Sequence, residues 1–333
     1  MKHRIPYLFA AAVFSALFLG CQYNDVESAH STSNFPEDGV IRFTTNLIEP
    51  TAARASITSS DVNQNGQQFQ VKIDNPNSAT YSYFNTVQYD GCDWLPANRM
   101  LWQNDQQRIT VTAAYKQGKT FSDSDFINGV NLTVAADQSD QGKLNQQDLL
   151  TMPTKNVNPQ IDLVNGKLVV NFYHVLSKLD VTLDLASEFF NTSASDVTDF
   201  TISGTNLGYN FQAMTIANEN YGTVTVTAST AADITAYQSE FTAAASESAH
   251  STAKYEAIVV PQEIAAGALT VSFKIGTRSF SWTNTESLTF EQGKCYTLPL
   301  TVGSDTSTSL SPSAGLNLSS TDWLAMPGCY VAE

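Results

Sequence analysis

Residues capable of acid–base or nucleophilic chemistry are few in this chain and lie far apart. Its 333 residues include four histidines. The only one inside an alternating apolar stretch is His174, which shares a face with Phe172. The others are His3, His30 and His250. A catalytic triad needs a partnered histidine, and the HExxH, GxSxG and phosphate-loop motifs are absent. We therefore predict that the protein is not an enzyme. A glycosidase, which needs only two carboxylates brought together by the fold, stays open at this point.

Two segments rich in Asp, Asn and Gly follow part of a calcium-loop pattern. Residues 61–66 match the first half of an EF-hand loop, but Lys72 stands where the bidentate Glu is needed. Residues 137–142 lead to Asp148 at a plausible spacing, but a strand-like flank precedes them. Asp, Asn and Gly are also the commonest turn residues. We predict turns at both places, and no metal or cofactor.

The cysteines give no disulfide framework. Apart from Cys21 they are Cys92, Cys295 and Cys329, and no CxxC pair occurs. Three cysteines in an exported chain allow at most one bridge within it. We predict buried or idle thiols, and their pairing is left open.

Clustered aromatic residues allow a second interpretation of the surface. Trp94 and Trp102 are close in sequence, and so are Tyr81, Tyr83 and Phe84. Exposed together, such rings would form a platform for a sugar, and the alternative function is a surface lipoprotein that binds glycan and never polymerises. Aromatic residues also dominate the cores of β-sandwiches, so core packing is favoured.

The net charge argues against polyanionic partners. The formal charge is −15, and removing Lys2 and Arg4 with residues 1–20 leaves −17. Such a surface repels phosphate backbones, so nucleic acid is not a predicted partner.

The N-terminus has the layout of an export signal. A basic start precedes an apolar run over residues 5–19, which is too short for a comfortable transmembrane helix. The run ends in Gly20-Cys21, which resembles a bacterial lipoprotein signal. This resemblance implies that Cys21 becomes the N-terminus and carries acyl chains, each buried methylene adding about 0.8 kcal/mol to anchoring. We assign residues 1–20 to the signal and 21–38 to a polar tether.

Residues 39–55 predict one strand followed by a loop of small residues. Ile41, Phe43 and Leu47 lie on one face of this half-buried alternation. Pro50 ends the strand because proline cannot donate to a ladder. Arg54 then stands alone among alanines, accessible in the loop.

The rest of the chain predicts an all-β protein. Many short alternating segments recur about every ten residues with turn residues between them, as in antiparallel sandwiches. The apolar phase flips near Ser177-Lys178, so the chain must bulge there or pass to another sheet or domain. We predict two domains, 39–175 and 176–333, divided at this point.

Several stretches together resemble the fimbrillin family of Bacteroidales lipoproteins, the subunits of type V pili. They are the signal ending at Cys21 with the early strand and its Arg-bearing loop, NFYHVLSKLDVTL at 171–183, YEAIVVPQEIAAG at 255–267, and FEQGKCYTLPLTV at 290–302. The resemblance covers most of the chain.

This resemblance implies a fold and a route of assembly. Each domain would be a transthyretin-like antiparallel β-sandwich. Lipoprotein-processing enzymes would deliver the chain to the outer membrane, and a trypsin-like or Arg-specific protease would cut between Arg54 and Ala55. The strand carrying Ile41, Phe43 and Leu47 would then leave, and a strand from another pilin subunit would fill its groove to build the adhesive fimbria.

The donor strand and the position along the fibre stay open. Residues 309–324 alternate only loosely and the chain ends in MPGCYVAE. Stalk, tip and anchor subunits therefore all remain possible.

Overall fold

The computed structural model describes residues 34–48, 59–213, 222–227 and 232–303, together with the backbone of 311–312 and 319–322. Cys21, Arg54, Ala55 and Cys329 lie outside the described residues. Strands dominate the described chain, which confirms the all-β prediction. None of the described helices is long and apolar enough to cross a bilayer.

Among the described residues, eight strands precede the phase flip, and seven of them form one closed barrel. The eight are β1 (Phe43–Leu47), β2 (Gln68–Asp74), β3 (Tyr83–Tyr89), β4 (Trp94–Pro96), β5 (Ile109–Tyr115), β6 (Val130–Thr133), β7 (Leu150–Val157) and β8 (Leu168–His174). The order round the barrel is β1-β4-β3-β2-β5-β7-β8, and β6 lies outside it. Every barrel pair is antiparallel except β1 with β8.

Helices are short and connect strands. They are α1 (Ser59–Val62), α2 (Asp123–Asn128) and α3 (Gln141–Gln147), with single 3₁₀ turns at Ala79–Tyr81, Ser187–Phe189 and Ala194–Asp196. Side chains cap two of them. Ser122 accepts a hydrogen bond from the Asp125 amide at the start of α2, and Asp140 accepts one from the Lys143 amide at the start of α3.

The remaining strands follow the flip, and most of them belong to two larger sheets. They are β9 (Ser177–Leu185), β10 (Val197–Ser203), β11 (Gly208–Gln212), β12 (Thr223–Val226), β13 (Ile234–Thr235), β14 (Tyr237–Thr242), β15 (Ser251–Val259), β16 (Gln262–Ile264), β17 (Thr270–Ile275), β18 (Arg278–Thr283), β19 (Leu288–Phe290), β20 (Lys294–Val302), β21 (Ser311–Pro312) and β22 (Ser319–Asp322). One sheet runs β13-β10-β17-β18 and the other β14-β15-β9-β20-β21, with β22 also on β20. The pair β9 and β20 is parallel, so two pairs depart from the expected antiparallel pattern.

The phase flip marks a change of sheet. β8 ends at His174 in the barrel, and β9 begins at Ser177 in the sheet that also contains β15 and β20. Between them Val175 and Leu176 are buried in a third apolar cluster. The sequence prediction of a passage from one sheet to another is therefore confirmed.

Three apolar clusters form the core. One draws its buried members from residues 41–172, the second from 179–302, and the third from both halves. A small sheet joins the halves as well, because β6 pairs with β11, which pairs with β12. The domain boundary itself stays a prediction.

A buried glutamine adds a polar link between the halves. The Gln138 amide donates to the Ile258 carbonyl at 2.9 Å, and the Ile258 N–H donates to Gln138 Oε1 at 2.8 Å. The side chain thus pairs with β15 as a neighbouring strand would, and it leaves no buried amide unpaired there.

One fully buried lysine lies between two carboxylates in the second half. The Lys178 ammonium is 2.9 Å from Glu256 and 3.1 Å from Asp180. Burial opposes its charge, but Asp180 and Glu256 outweigh this and raise the pKa of Lys178. Burial, with a contribution from Glu256, raises the pKa of Asp180. Removing the charge of one sign from this cluster would leave the other buried charge uncompensated, which is strongly destabilising.

Replacing Lys178 by Met should destabilise the fold by about 3–5 kcal/mol, because two close carboxylates would lose their cation. Urea unfolding would measure the loss, with an unchanged m-value as a check on two-state behaviour. Lys254→Met is the matched control on β15, since its pair with Glu240 is exposed and contributes little. Equal midpoints for the two variants would contradict this account.

Candidate functional site: the closing strand of the barrel

Strand β1 closes the barrel, and the inward face that it shares with the preceding residue 41 is part of the core. Ile41 and Phe43 are 1% exposed and Leu47 is 8% exposed. The outward Arg42 and Asn46 are exposed. The alternation predicted from sequence is therefore present, and the three residues assigned to the removable strand are buried.

The two neighbours of β1 hold it unequally. Along β8 the parallel register runs from Phe43 opposite Leu168 to Leu47 opposite Phe172. Along β4 the register contains the single pair Phe43 with Trp94. Backbone bonds continue at both ends of the β8 side, from the Leu168 N–H to the Arg42 carbonyl and from the Ile48 N–H to the Phe172 carbonyl. On the other side, the residues just before β1 add two backbone bonds, from the Ile41 N–H to the Met100 carbonyl and from the Trp102 N–H to the Gly39 carbonyl. Within β1 itself the ladder is thus long on the β8 side and short on the β4 side.

Phe43 fills an aromatic pocket. Its ring meets Phe69 edge-on at a centroid distance of 5.9 Å. Phe69 in turn lies 4.9 Å from Trp94 and 5.4 Å from Phe172. Such edge-to-face and tilted contacts add about 0.5–1.5 kcal/mol each beyond burial of area. Without β1 these rings would face an apolar cleft.

One inward position of β1 is polar. The Thr45 hydroxyl donates to Asn63 Oδ1 at 2.8 Å and accepts from Trp94 Nε1 at 3.1 Å. Trp94 Nε1 also lies 3.2 Å from Asn63 Oδ1. All three groups are satisfied in this arrangement, as buried polar groups require. Asn63 directly follows α1, so it links the strand to the next element of the chain.

The outward face of β1 makes only surface contacts. Arg42 and Asp38 form an exposed ion pair in which hydrogen bonds from Arg42 lower the pKa of Asp38 to about 2. The Asn46 amide donates to Asn171 Oδ1 at 3.1 Å. Exposed pairs of this kind contribute little to stability. The strand is therefore held mainly by its inward side chains and by its ladder with β8.

A family model described as fimbrillin-like matches residues 53–315. The chain belongs to the fimbrillin-like family. No curated protein sequence matched it.

Two solved structures share the fold of this fimbrillin-like chain. A candidate cell adhesion protein from Bacteroides uniformis is 18% identical, with a TM-score of 0.53, and the match covers 86% of this chain and 99% of that one. A candidate cell adhesion protein from Bacteroides ovatus is 13% identical, with a TM-score of 0.54, and the match covers 86% and 98%.

The predicted cleavage residues Arg54 and Ala55 lie outside the described residues, and so does the predicted lipidation site Cys21. The structure does describe both ends of the connection that carries Arg54. It leaves the barrel after Ile48, whose N–H is bound to β8, and returns at α1, where Val62 is buried. The connection thus joins the strand to the groove that the strand occupies.

The aromatic platform of the alternative interpretation is not formed by the two tryptophans. Trp94 and Trp102 are each 5% exposed and belong to the core of this fimbrillin-like chain, as the favoured packing interpretation predicted. The cleft beside Trp94 measures about 120 Å³, well below the roughly 300–1,000 Å³ of ordinary ligand pockets. Tyr81, Tyr83 and Phe84 are half-buried.

The remaining candidate residues take structural roles in this fimbrillin-like fold. His174 is buried with its Nδ1 atom 2.8 Å from Asp148, which confirms the packing role. In the second calcium-like segment, the Lys143 ammonium lies 2.8 Å from Asp137 and 3.3 Å from Asp140. Among the described residues, no three His, Cys, Asp or Glu side chains are grouped as metal ligands would be.

Two cysteines lie within the described chain, and both are free thiols. Cys92 is exposed, whereas Cys295 is buried. Burial raises the pKa of Cys295, with a further contribution from Asp180, so this thiol is unreactive.

Sequence reasoning missed Asn63 and the partners of β1. The parity of Thr45 placed it on the inward face, which is the one signal that an inward polar group was needed. Its partners come from positions 18 and 49 residues away. Short-range patterns do not report such separations.

Replacing Phe43 by Ala should destabilise the uncut protein by about 3–5 kcal/mol, because it removes a buried ring and leaves a cavity beside Phe69. Arg42→Ala, next to it on the outward face, is the matched control and should change stability little. Denaturant unfolding checks both. A Phe43→Ala midpoint equal to that of Arg42→Ala would show that β1 does not stabilise the barrel.

Proposed function

We propose that this fimbrillin-like protein is a structural subunit of a cell-surface fimbria that assembles by proteolysis-triggered strand exchange and contributes to adhesion. Cys21 is lipidated and anchors the chain to the outer membrane. A trypsin-like or Arg-specific protease cuts between Arg54 and Ala55. A strand from another pilin subunit then replaces β1, and the subunit passes into the fimbria.

The observation that carries this proposal is the position of β1 in the barrel. It is the first described strand, it is joined to the rest of the barrel by the connection that bears Arg54, and it closes the barrel between β8 and β4. Cutting that connection leaves β1 held by non-covalent contacts alone. The family match begins at residue 53 and leaves β1 outside it.

Departure of β1 would create a strong template for another strand. The backbone groups of β8 would become an unpaired edge, which readily accepts an added strand. The sites of Ile41, Phe43 and Leu47 would open at the same time, each side chain contributing about 1.5–3 kcal/mol through burial. An incoming strand with the same alternation satisfies the edge and the pockets together.

In this proposal the two halves are transthyretin-like sandwiches with a boundary at 175/176. The first is the acceptor for the incoming strand, and β1 completes it until cleavage. The second packs its two sheets around its own apolar cluster. The third cluster and the Gln138 link support joint movement of the halves as one subunit in a fibre.

Limited trypsin treatment of the purified protein should give a new N-terminus at Ala55 and ladders of oligomers on gels. N-terminal sequencing and size-exclusion chromatography measure the two outcomes. Arg54→Gln should resist this cut and stay monomeric. Arg108→Gln, an exposed arginine just before β5, is the matched control and should behave as the wild type. A chain that is cut after Arg54 yet remains monomeric would overturn the polymer proposal.

Cys21→Ala should abolish labelling by radioactive palmitate and release the protein from the outer-membrane fraction. Several acyl chains hold a protein firmly, whereas none are attached without this thiol. Cys92→Ala is the control, because Cys92 is an exposed thiol within the folded region. Undiminished labelling of Cys21→Ala would remove the lipid anchor from the proposal.

A further inference from the structure

We propose that the groove occupied by β1 selects its incoming strand by a hydroxyl group at the place of Thr45. This inference rests on the proposed strand exchange and names the chemistry of the partner. The partner is an extended segment of another subunit with large apolar side chains in the places of Phe43 and Leu47 and Ser or Thr between them. β1 itself shows what the groove accepts, since it is seated there.

The groove combines apolar contacts with one polar position, that of Thr45. The Phe69 ring packs edge-on against Phe43, and Phe69 in turn contacts Phe172, which lies opposite Leu47. Two residues further along the strand lies Thr45. Its hydroxyl donates a hydrogen bond to Asn63 Oδ1 and accepts one from Trp94 Nε1. A hydroxyl is the small group that can donate to the first and accept from the second. A methyl group in its place makes neither bond.

This polar position fixes the register of the incoming strand along β8, which apolar alternation alone leaves undecided. A slip of one residue along β8 would turn the apolar side chains outward and is excluded by burial. A slip of two residues keeps the apolar face inward, so alternation alone does not forbid it. That slip would place a side chain of the Phe43 or Leu47 type against Asn63 and Trp94 Nε1. The hydroxyl therefore sets the register, while the apolar positions provide most of the affinity.

The size of the effect follows from the hydrogen bonds that remain. Without the hydroxyl, Trp94 Nε1 keeps Asn63 Oδ1 at 3.2 Å, so neither group is left entirely unpaired. The loss is then that of an ordinary hydrogen bond, which corresponds to about five-fold in affinity.

The test uses protein cut after Arg54, with the protease inhibited and the N-terminal fragment that carries β1 removed in urea before dilution into buffer, and labelled peptides of residues 39–48. Fluorescence anisotropy measures binding to the vacated groove. The T45V peptide, which conserves shape, should bind about five-fold more weakly than the wild-type peptide. T44V is the matched control on the outward face, where Thr44 is half-exposed, and should bind within two-fold of wild type. The T45S peptide should bind about five-fold more tightly than T45A, since both lack the methyl group and only one retains the hydroxyl.

The outcomes separate this inference from the function on which it rests. If the wild-type, T45V and T44V peptides bind equally, the groove recognises only the apolar alternation of the strand. The hydroxyl rule is then wrong, and the strand-exchange proposal is unaffected. If the wild-type peptide does not bind the cut protein at all, both the hydroxyl rule and the strand-exchange proposal are overturned. Binding of T45S no tighter than T45A likewise contradicts the rule.

Discussion

The parallel pairing of β1 with β8 is the constraint on which the first half of the molecule depends. It brings residues near 43 beside residues near 168 and so closes a barrel whose other pairs are all antiparallel. The closing strand also supplies Phe43, which contacts Phe69 at the centre of an aromatic group. The strand that closes the barrel therefore also completes its core. Its opposite edge, against β4, is short, so the long ladder with β8 and the inward side chains carry the closure.

A different set of contacts joins the second half of the molecule to the first. The sheet face around Lys178 carries ionisable groups, yet it is buried. The register partners of Lys178 are Ile258 and Cys295, and both belong to the apolar cluster that the two halves share. Gln138 extends a backbone-like pair across the same region. Polar groups that are satisfied only in one arrangement favour a unique relation between packed elements. We infer that events at β1 act on a subunit whose two halves are firmly joined.

Much of the fold was accessible from the sequence, and the exceptions have physical reasons. Alternation located β1, and the phase flip located the passage from β8 to β9, because both depend on the two-residue period of a strand. Parity assigns a side chain to a face but not to a neighbour, so the partnership of β1 with β8 was not predicted. Lys178 was missed for a similar reason: a lysine at that parity is expected on a solvated face, and only tertiary packing covers it. In the site, the apolar residues of β1 were predictable, whereas Asn63 was not.

The order of features along the chain makes one proposed cut do two things. Cys21, β1 and Arg54 follow one another, so cleavage after Arg54 places the lipid and the closing strand on the same fragment. Before the cut, the covalent connection would keep β1 at a high effective concentration near its groove. A strand from another subunit competes poorly against that. After the proposed cut, β1 would lose this advantage, and the subunit would lose its lipid when β1 departs. In this proposal the groove would become available to a partner at the moment when the subunit becomes free to move into a fibre, and a subunit that still carries its lipid would stay closed to exchange.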